Sequence, residues 1–259
     1  GQDLSLVVTD LKGEEGTAVD ISVMRGTEEI DLTVTRRKIE VPTVESRMLT
    51  DTIGYIGITE FDDVTDDQFL SALDELKEEG MQDLVIDLRN NGGGLVDTCV
   101  KMADLILPEG VVVSMKDKNG NVTEEKIDDE YYDVPMVVLV NGYSASASEI
   151  LAGAIRDYKA GTLVGTKTFG KGIVQSSLEF VDGSGMKVTT ARYYTPSGEC
   201  IHGVGIEPDV EIELDEDAVT RHGINNLPHD HDAQLQKAIE LLGGTPVLAT
   251  ATPDEAEAE

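Results

Sequence analysis

Residues 137–158 read VVLVNGYSASASEILAGAIRDY. A short, continuous apolar run ends at Val140, and the segment after Ser148 has the apolar spacing of a helix. Between them Ser144, Ser146 and Ser148 alternate with alanines, so a strand-to-helix turn carries many hydroxyls and little bulk. Two roles compete at such a place. Serines at a helix start commonly cap its first amides, whereas a serine on a tight turn can be presented as a nucleophile. The turn lacks the G-x-S-x-G pattern of the hydrolase elbow, so the motif alone does not choose.

Outward from this junction, strand and helix patterns alternate. IGYIGITEF reads as a strand, TDDQFLSALDELKEEG as a helix opening at a Thr or Asp cap, and DLVIDLR as a continuous apolar strand. The loop NNGGG follows, then the helix LVDTCVKMADLIL, the strands GVVVSMKD and PMVVLV, the serine-bearing helix and the strand GTLVGT. A long hairpin, GIVQSSLEFV with MKVTTARYYT, is closed by DGSG, and HDAQLQKAIELLGG supplies a late helix with a glycine stop. This order predicts an α/β fold with a mostly parallel sheet covered on both faces. Residues 1–38 read differently, as one amphipathic helix and two period-two strands, too small a set to fold alone. The expected units are therefore 1–38, 39–245 and an acidic, disordered tail over 246–259. The chain opens on Gly1 rather than Met, and a processed piece of a longer protein is expected.

Composition narrows the partners. The formal charge is −31, from 51 acidic and 20 basic residues, which disfavours nucleic acid and anionic lipid surfaces. No stretch approaches the roughly 20 apolar residues of a membrane-spanning helix, and no secretory signal opens the chain. Cys99 and Cys200 lie in no metal-like spacing, and Cys99 falls on the apolar face of its helix, as a buried thiol would.

Sheets of this kind place their sites beyond the carboxyl ends of the strands. Three loops there carry usable chemistry: RNNGGG offers backbone N–H groups without a Cβ in the way, NGYSASAS offers hydroxyls, and TKTFGKG holds Lys171 between two glycines. A nucleophilic serine needs a base. None of the four histidines, His202, His222, His229 and His231, occupies a glycine-flanked loop at a strand end, and the H-x-H of the last two lies in a polar linker. Lys171 does occupy such a loop, and a neutral lysine serves as the base in Ser-Lys variants of the triad.

Taken together, IGYIGITEF, LVIDLRNNGGG, VVLVNGYSASASEILAGAIRDY, LVGTKTFGKGIVQ, ARYYTPSG and GVGIEPDV resemble the C-terminal processing (tail-specific) proteases, serine peptidases of family S41. The match covers nearly the whole chain, and SASASE with FGKGxxQ is its most specific part. The resemblance implies a crotonase-like protease core preceded by a partial PDZ domain, with residues 1–38 supplying only that domain's last helix and strands. It implies Ser146 as nucleophile, Lys171 as general base and Gln175 as the residue that orients it. The oxyanion hole would use the N–H of Ala147 with that of Gly93 or Gly94. Gly92 stands where the family often has proline. The implied substrates are proteins or peptides with accessible C-terminal tails, the implied setting is extracytoplasmic (periplasmic or membrane-associated), and a homo-oligomer fits. No metal or cofactor is implied. Two rival readings are an acyl-thioester enzyme on the related crotonase fold and a peptide-binding scaffold with dead chemistry.

Overall fold

The structure is a computed structural model that describes residues 4–38, 41–224 and 227–245, so the expected acidic tail lies outside the described residues. The chain divides into two compact units, Gly1–Val41 and Pro42–Glu259.

In the first unit, helix α1 (Leu4–Leu11) precedes an antiparallel hairpin of β1 (Ala18–Arg25) and β2 (Glu28–Thr35). The Arg36 guanidinium donates to the carbonyls of Asp10, Leu11 and Ala18 at 2.9–3.0 Å. It thereby takes up carbonyls that the end of α1 leaves without helical partners.

The second unit is built on a six-stranded sheet. In chain order its strands are β3 (Val44–Met48), β4 (Ile53–Ile58), β5 (Asp83–Asp87), β8 (Met136–Val140), β9 (Gly161–Gly165) and β12 (Val210–Glu211). Their spatial order is β12-β9-β8-β5-β4-β3, parallel throughout except at the β3–β4 edge. β4 and β8 are buried at every position and β5 at all but Asp83, as expected of strands covered on both faces. Alternate residues serve opposite layers. Ile56, Leu84, Ile86, Val138 and Val140 face helices α2 (Thr65–Glu78), α3 (Val96–Asp104) and α4 (Ala147–Tyr158). Tyr55, Val85, Val137 and Leu139 face Leu235, Ala238 and Ile239 of α6 (Ala233–Leu241). Among the described residues, no helix is long and apolar enough to cross a membrane.

Three details depart from the sequence reading. The N-cap of α2 is Val64, with Thr65 already helical, and Asp62 Oδ1 accepts the Val64 N–H at 3.0 Å. An Asx-type turn upstream thus replaces the expected side-chain cap. GVVVSMKD, which is β6 (Gly110–Asp117), joins a separate antiparallel sheet in the order β10-β11-β6-β7. Its companions are β7 (Val122–Ile127), β10 (Ile173–Glu179) and β11 (Gly185–Tyr194). β6 is largely half-buried, whereas β7, β10 and β11 are exposed at most positions. Finally, α5 (Glu216–His222) is too short for its periodicity to stand out in the sequence.

Candidate active site

The serine turn is strained at one residue. Ser146 has φ 59° and ψ −116°, a left-handed conformation for a residue with a side chain, immediately before α4. Such backbones cost about 1–3 kcal/mol and persist where the surroundings over-determine them. The residue therefore has the strained strand-to-helix geometry of a nucleophile elbow without the elbow's glycine pattern. Its neighbours do the holding. Ser144, fully buried, donates to Leu88 O at 2.8 Å and accepts the Asn141 N–H at 2.9 Å. Ser148, also fully buried, donates to Asn91 O at 2.9 Å. The outer two hydroxyls brace the turn, and Ser146 is the one that reaches the cavity beside it.

That cavity, of about 240 Å³, is lined by Gly94, Val96, Ser146, Lys171, Ile173, Val174, Gln175, Ser177, Lys187 and Tyr193. It brings together three sequence-expected residues, Ser146, Lys171 and Gln175, with Gly94 of the glycine loop. Among the described residues no hydrogen bond joins Ser146 Oγ to Lys171 Nζ, and Gln175 is exposed on β10. No histidine lines the cavity; His202 is exposed, and its backbone packs against Gly172.

The glycine loop packs against the serine turn. Gly93 (φ 98°) lies so near the serine turn that a Cβ there would sit 2.7 Å from Ser146 Cβ and 2.9 Å from Ala147 N. At Gly94 (φ 152°) a Cβ would sit 2.0 Å from Phe61 O, so neither position accepts a side chain. The two amides differ in use. Gly93 N–H donates to Asn91 Oδ1 at 2.8 Å. For Gly94 N–H and for Ala147 N–H, the first amide of α4, no partner occurs among the described residues. Asn91, fully buried, is the hub: its Nδ2 donates to Ile58 O, and its carbonyl accepts from Ala145 N–H and Ser148 Oγ.

The sequence reading missed Glu149, whose buried carboxylate joins two of the loops. Oε2 accepts Ser146 N–H at 3.0 Å and Lys171 N–H at 2.8 Å. Oε1 accepts Thr168 Oγ1–H at 2.6 Å and Gly170 N–H at 2.7 Å. Four donors thus fill the four lone pairs of an ionised carboxylate. Its spacing of three from Ser146 is that of a capping box, a signal present in SASASE. Tyr193 repeats the connection from the carbonyl side, its hydroxyl directed at Lys171 O and at Ser146 O. Burial, aided by the Glu149 carboxylate, raises the Tyr193 pKa well above its ordinary value, which keeps that hydroxyl a donor.

A second missed group anchors the glycine loop where it leaves β5. Arg89, with 3% of its side chain exposed, donates to both oxygens of Asp87 and both of Asp232, and to Gln234 Oε1. Burial alone would lower the Arg89 pKa, but the two aspartates outweigh it and hold the guanidinium above its ordinary value. Asp87 also accepts from Tyr55 OH, and Asp232 caps α6 through Leu235 N–H. The available signal was Asp87 and Arg89 flanking Leu88 at the end of an otherwise apolar strand.

Parallel sheet, strained serine and facing glycine loop define the class, the α/β proteins that present a serine at a strand-to-helix turn. The chain belongs to peptidase family S41, whose family model matches residues 52–212. It is 41% identical over 216 residues to a "Probable CtpA-like serine protease" of Staphylococcus haemolyticus, covering 82% of this chain and 43% of that protein. A protein of the same description from Staphylococcus aureus strain COL is 42% identical over 217 residues, with 82% and 44% covered. The chain thus spans less than half the length of these curated relatives. Among solved structures, the photosystem II D1 C-terminal processing protease superposes with a TM-score of 0.64 at 34% identity, over 86% of this chain and 64% of that one.

Proposed function

We propose that this chain is the proteolytic core of a serine endopeptidase that cleaves protein substrates near their C-termini through an acyl-enzyme on Ser146. The observation that carries the reading is that Ser146, Lys171, Gln175 and Gly94 line one cavity. Neutral Lys171 takes the proton of Ser146 Oγ as the oxygen attacks the scissile carbonyl, and then delivers it to the leaving amine. Water, deprotonated by the same lysine, then attacks the ester, and Ser146 recovers its proton as the acyl group departs. Gln175 orients Lys171. Hydrogen bonds between catalytic groups are often long before substrate binds, so Lys171 and Ser146 are expected to close in the complex.

The developing oxyanion is assigned to Ala147 N–H and Gly94 N–H, since Gly93 N–H is already held by Asn91. The N-terminal end of α4 favours the same charge. In the first unit, α1 and the hairpin flank a hollow of about 700 Å³ lined partly by Val8, Leu11, Val19, Ile21 and Val34. Apolar walls open on this scale support reading 1–38 as part of a larger PDZ-type domain. An extracytoplasmic setting accords with the resemblance. The test is digestion of an unfolded protein by wild type and by Ser146→Ala, with the adduct of a serine-directed acylating inhibitor mapped by mass spectrometry. Loss of activity in folded Ser146→Ala and an adduct on Ser146 are expected. An adduct on Ser144 or Ser148 refutes the assignment.

A further inference from the structure

Lys187 has no part in the chemistry just proposed, yet it lines the same cavity as Ser146, Lys171 and Gln175. It stands on β11 opposite Ser177 of β10, two pairs along from Gln175 opposite Thr189. Side chains two apart on a strand share a face, so Gln175, Ser177 and Lys187 lie together, with Lys187 displaced about 7 Å along the hairpin. Lys187 is exposed. Lys187 makes no ion pair among the described residues, unlike Lys101, Lys126, Lys167 and Lys237. The cavity lining holds two lysines and no carboxylate, in a chain whose formal charge is −31. Lys171 is assigned to the proton transfers, which leaves Lys187 as the lysine of the cavity that can meet a charged group of the peptide.

We propose that Lys187 determines specificity: its ammonium takes a carboxylate of the bound peptide at a fixed distance along the cleft from the scissile bond. The inference rests on the peptidase reading of this cavity. An acidic surface repels acidic peptides in general, and one cation inside the cleft then selects those with a carboxylate at the right place. The carboxylate can be the chain terminus or an Asp or Glu side chain.

The experiment compares three versions of one otherwise uncharged peptide: amidated, with a free C-terminal carboxylate, and amidated with a single Glu moved along the sequence. The readout is the ratio of kcat/KM for each acidic version to that for the neutral one, measured within wild type, Lys187→Met and Lys187→Glu. Wild type should favour one acidic version by about two- to fivefold, carried mainly by KM, as for a solvent-accessible ion pair. The ratio should fall to about one in Lys187→Met and below one in Lys187→Glu. The version that responds identifies the source of the carboxylate. Ratios that are the same in all three enzymes overturn the proposal, with hydrolysis still lost in Ser146→Ala. Hydrolysis that survives Ser146→Ala instead overturns the peptidase reading itself.

Discussion

Glu149→Gln preserves the side chain's shape and removes its charge and one acceptor. Four donors converge on the wild-type carboxylate, two at each oxygen, and the residue is fully buried. With the new NH2 at the Oε2 position, it faces the N–H groups of Ser146 and Lys171, neither of which can turn away. With NH2 at the Oε1 position, the Thr168 hydroxyl can rotate to accept, but Gly170 N–H still meets a donor. Even the better orientation leaves one buried donor unpaired, at about 1–3 kcal/mol. It also converts the two remaining bonds from charged to neutral acceptors, at about 1 kcal/mol each. The variant should therefore lose about 3–5 kcal/mol, a large part of the roughly 5–15 kcal/mol of a typical domain. The same bonds set Lys171 against Ser146, and a displacement of about 1 Å there should lower kcat about 10²-fold with a smaller change in KM. Urea unfolding followed by circular dichroism measures the first quantity, and peptide hydrolysis under conditions where the variant is folded measures the second. Stability within about 1 kcal/mol of wild type together with unchanged kcat would refute the claim that this carboxylate couples the two loops.

Lys171→Arg should be as inactive as Lys171→Ala, because arginine stays protonated and cannot accept the Ser146 proton; near wild-type turnover in a folded Lys171→Arg enzyme would rule out the lysine base. Ser144→Ala should destabilise more than Ser148→Ala in urea titrations. The first strands the buried Asn141 N–H at about 1–3 kcal/mol, whereas Asn91 O keeps the Ala145 N–H after the second; equal losses would contradict this bracing. Complete burial raises the Cys99 pKa well above its ordinary value, so Cys99 should react with a thiol reagent at pH 8 only on unfolding. Fast labelling of Cys99 in the native protein would show that α3 opens locally.

The local parts of this protein were written into its sequence. The apolar runs of β4, β5 and β8 announce strands buried on both faces, because a strand covered twice has no polar side to show. The turn around Ser146 and the loop of Lys171 were equally legible, since glycine, alanine and serine mark places where backbone must pass closely. What only the tertiary structure decided is pairing at a distance. Arg89 meets Asp232 across 143 residues, Glu149 reaches Gly170 and Lys171 across a strand and a loop, and β6 leaves the parallel sheet for β11. That Gly93 N–H is held, while Gly94 N–H has no partner among the described residues, turned on a single Asn91 oxygen. Hydrophobic periodicity reports which face of a segment avoids water. It carries no record of which buried donor meets which acceptor, because that is settled only when distant segments pack and every desolvated polar group must find a partner.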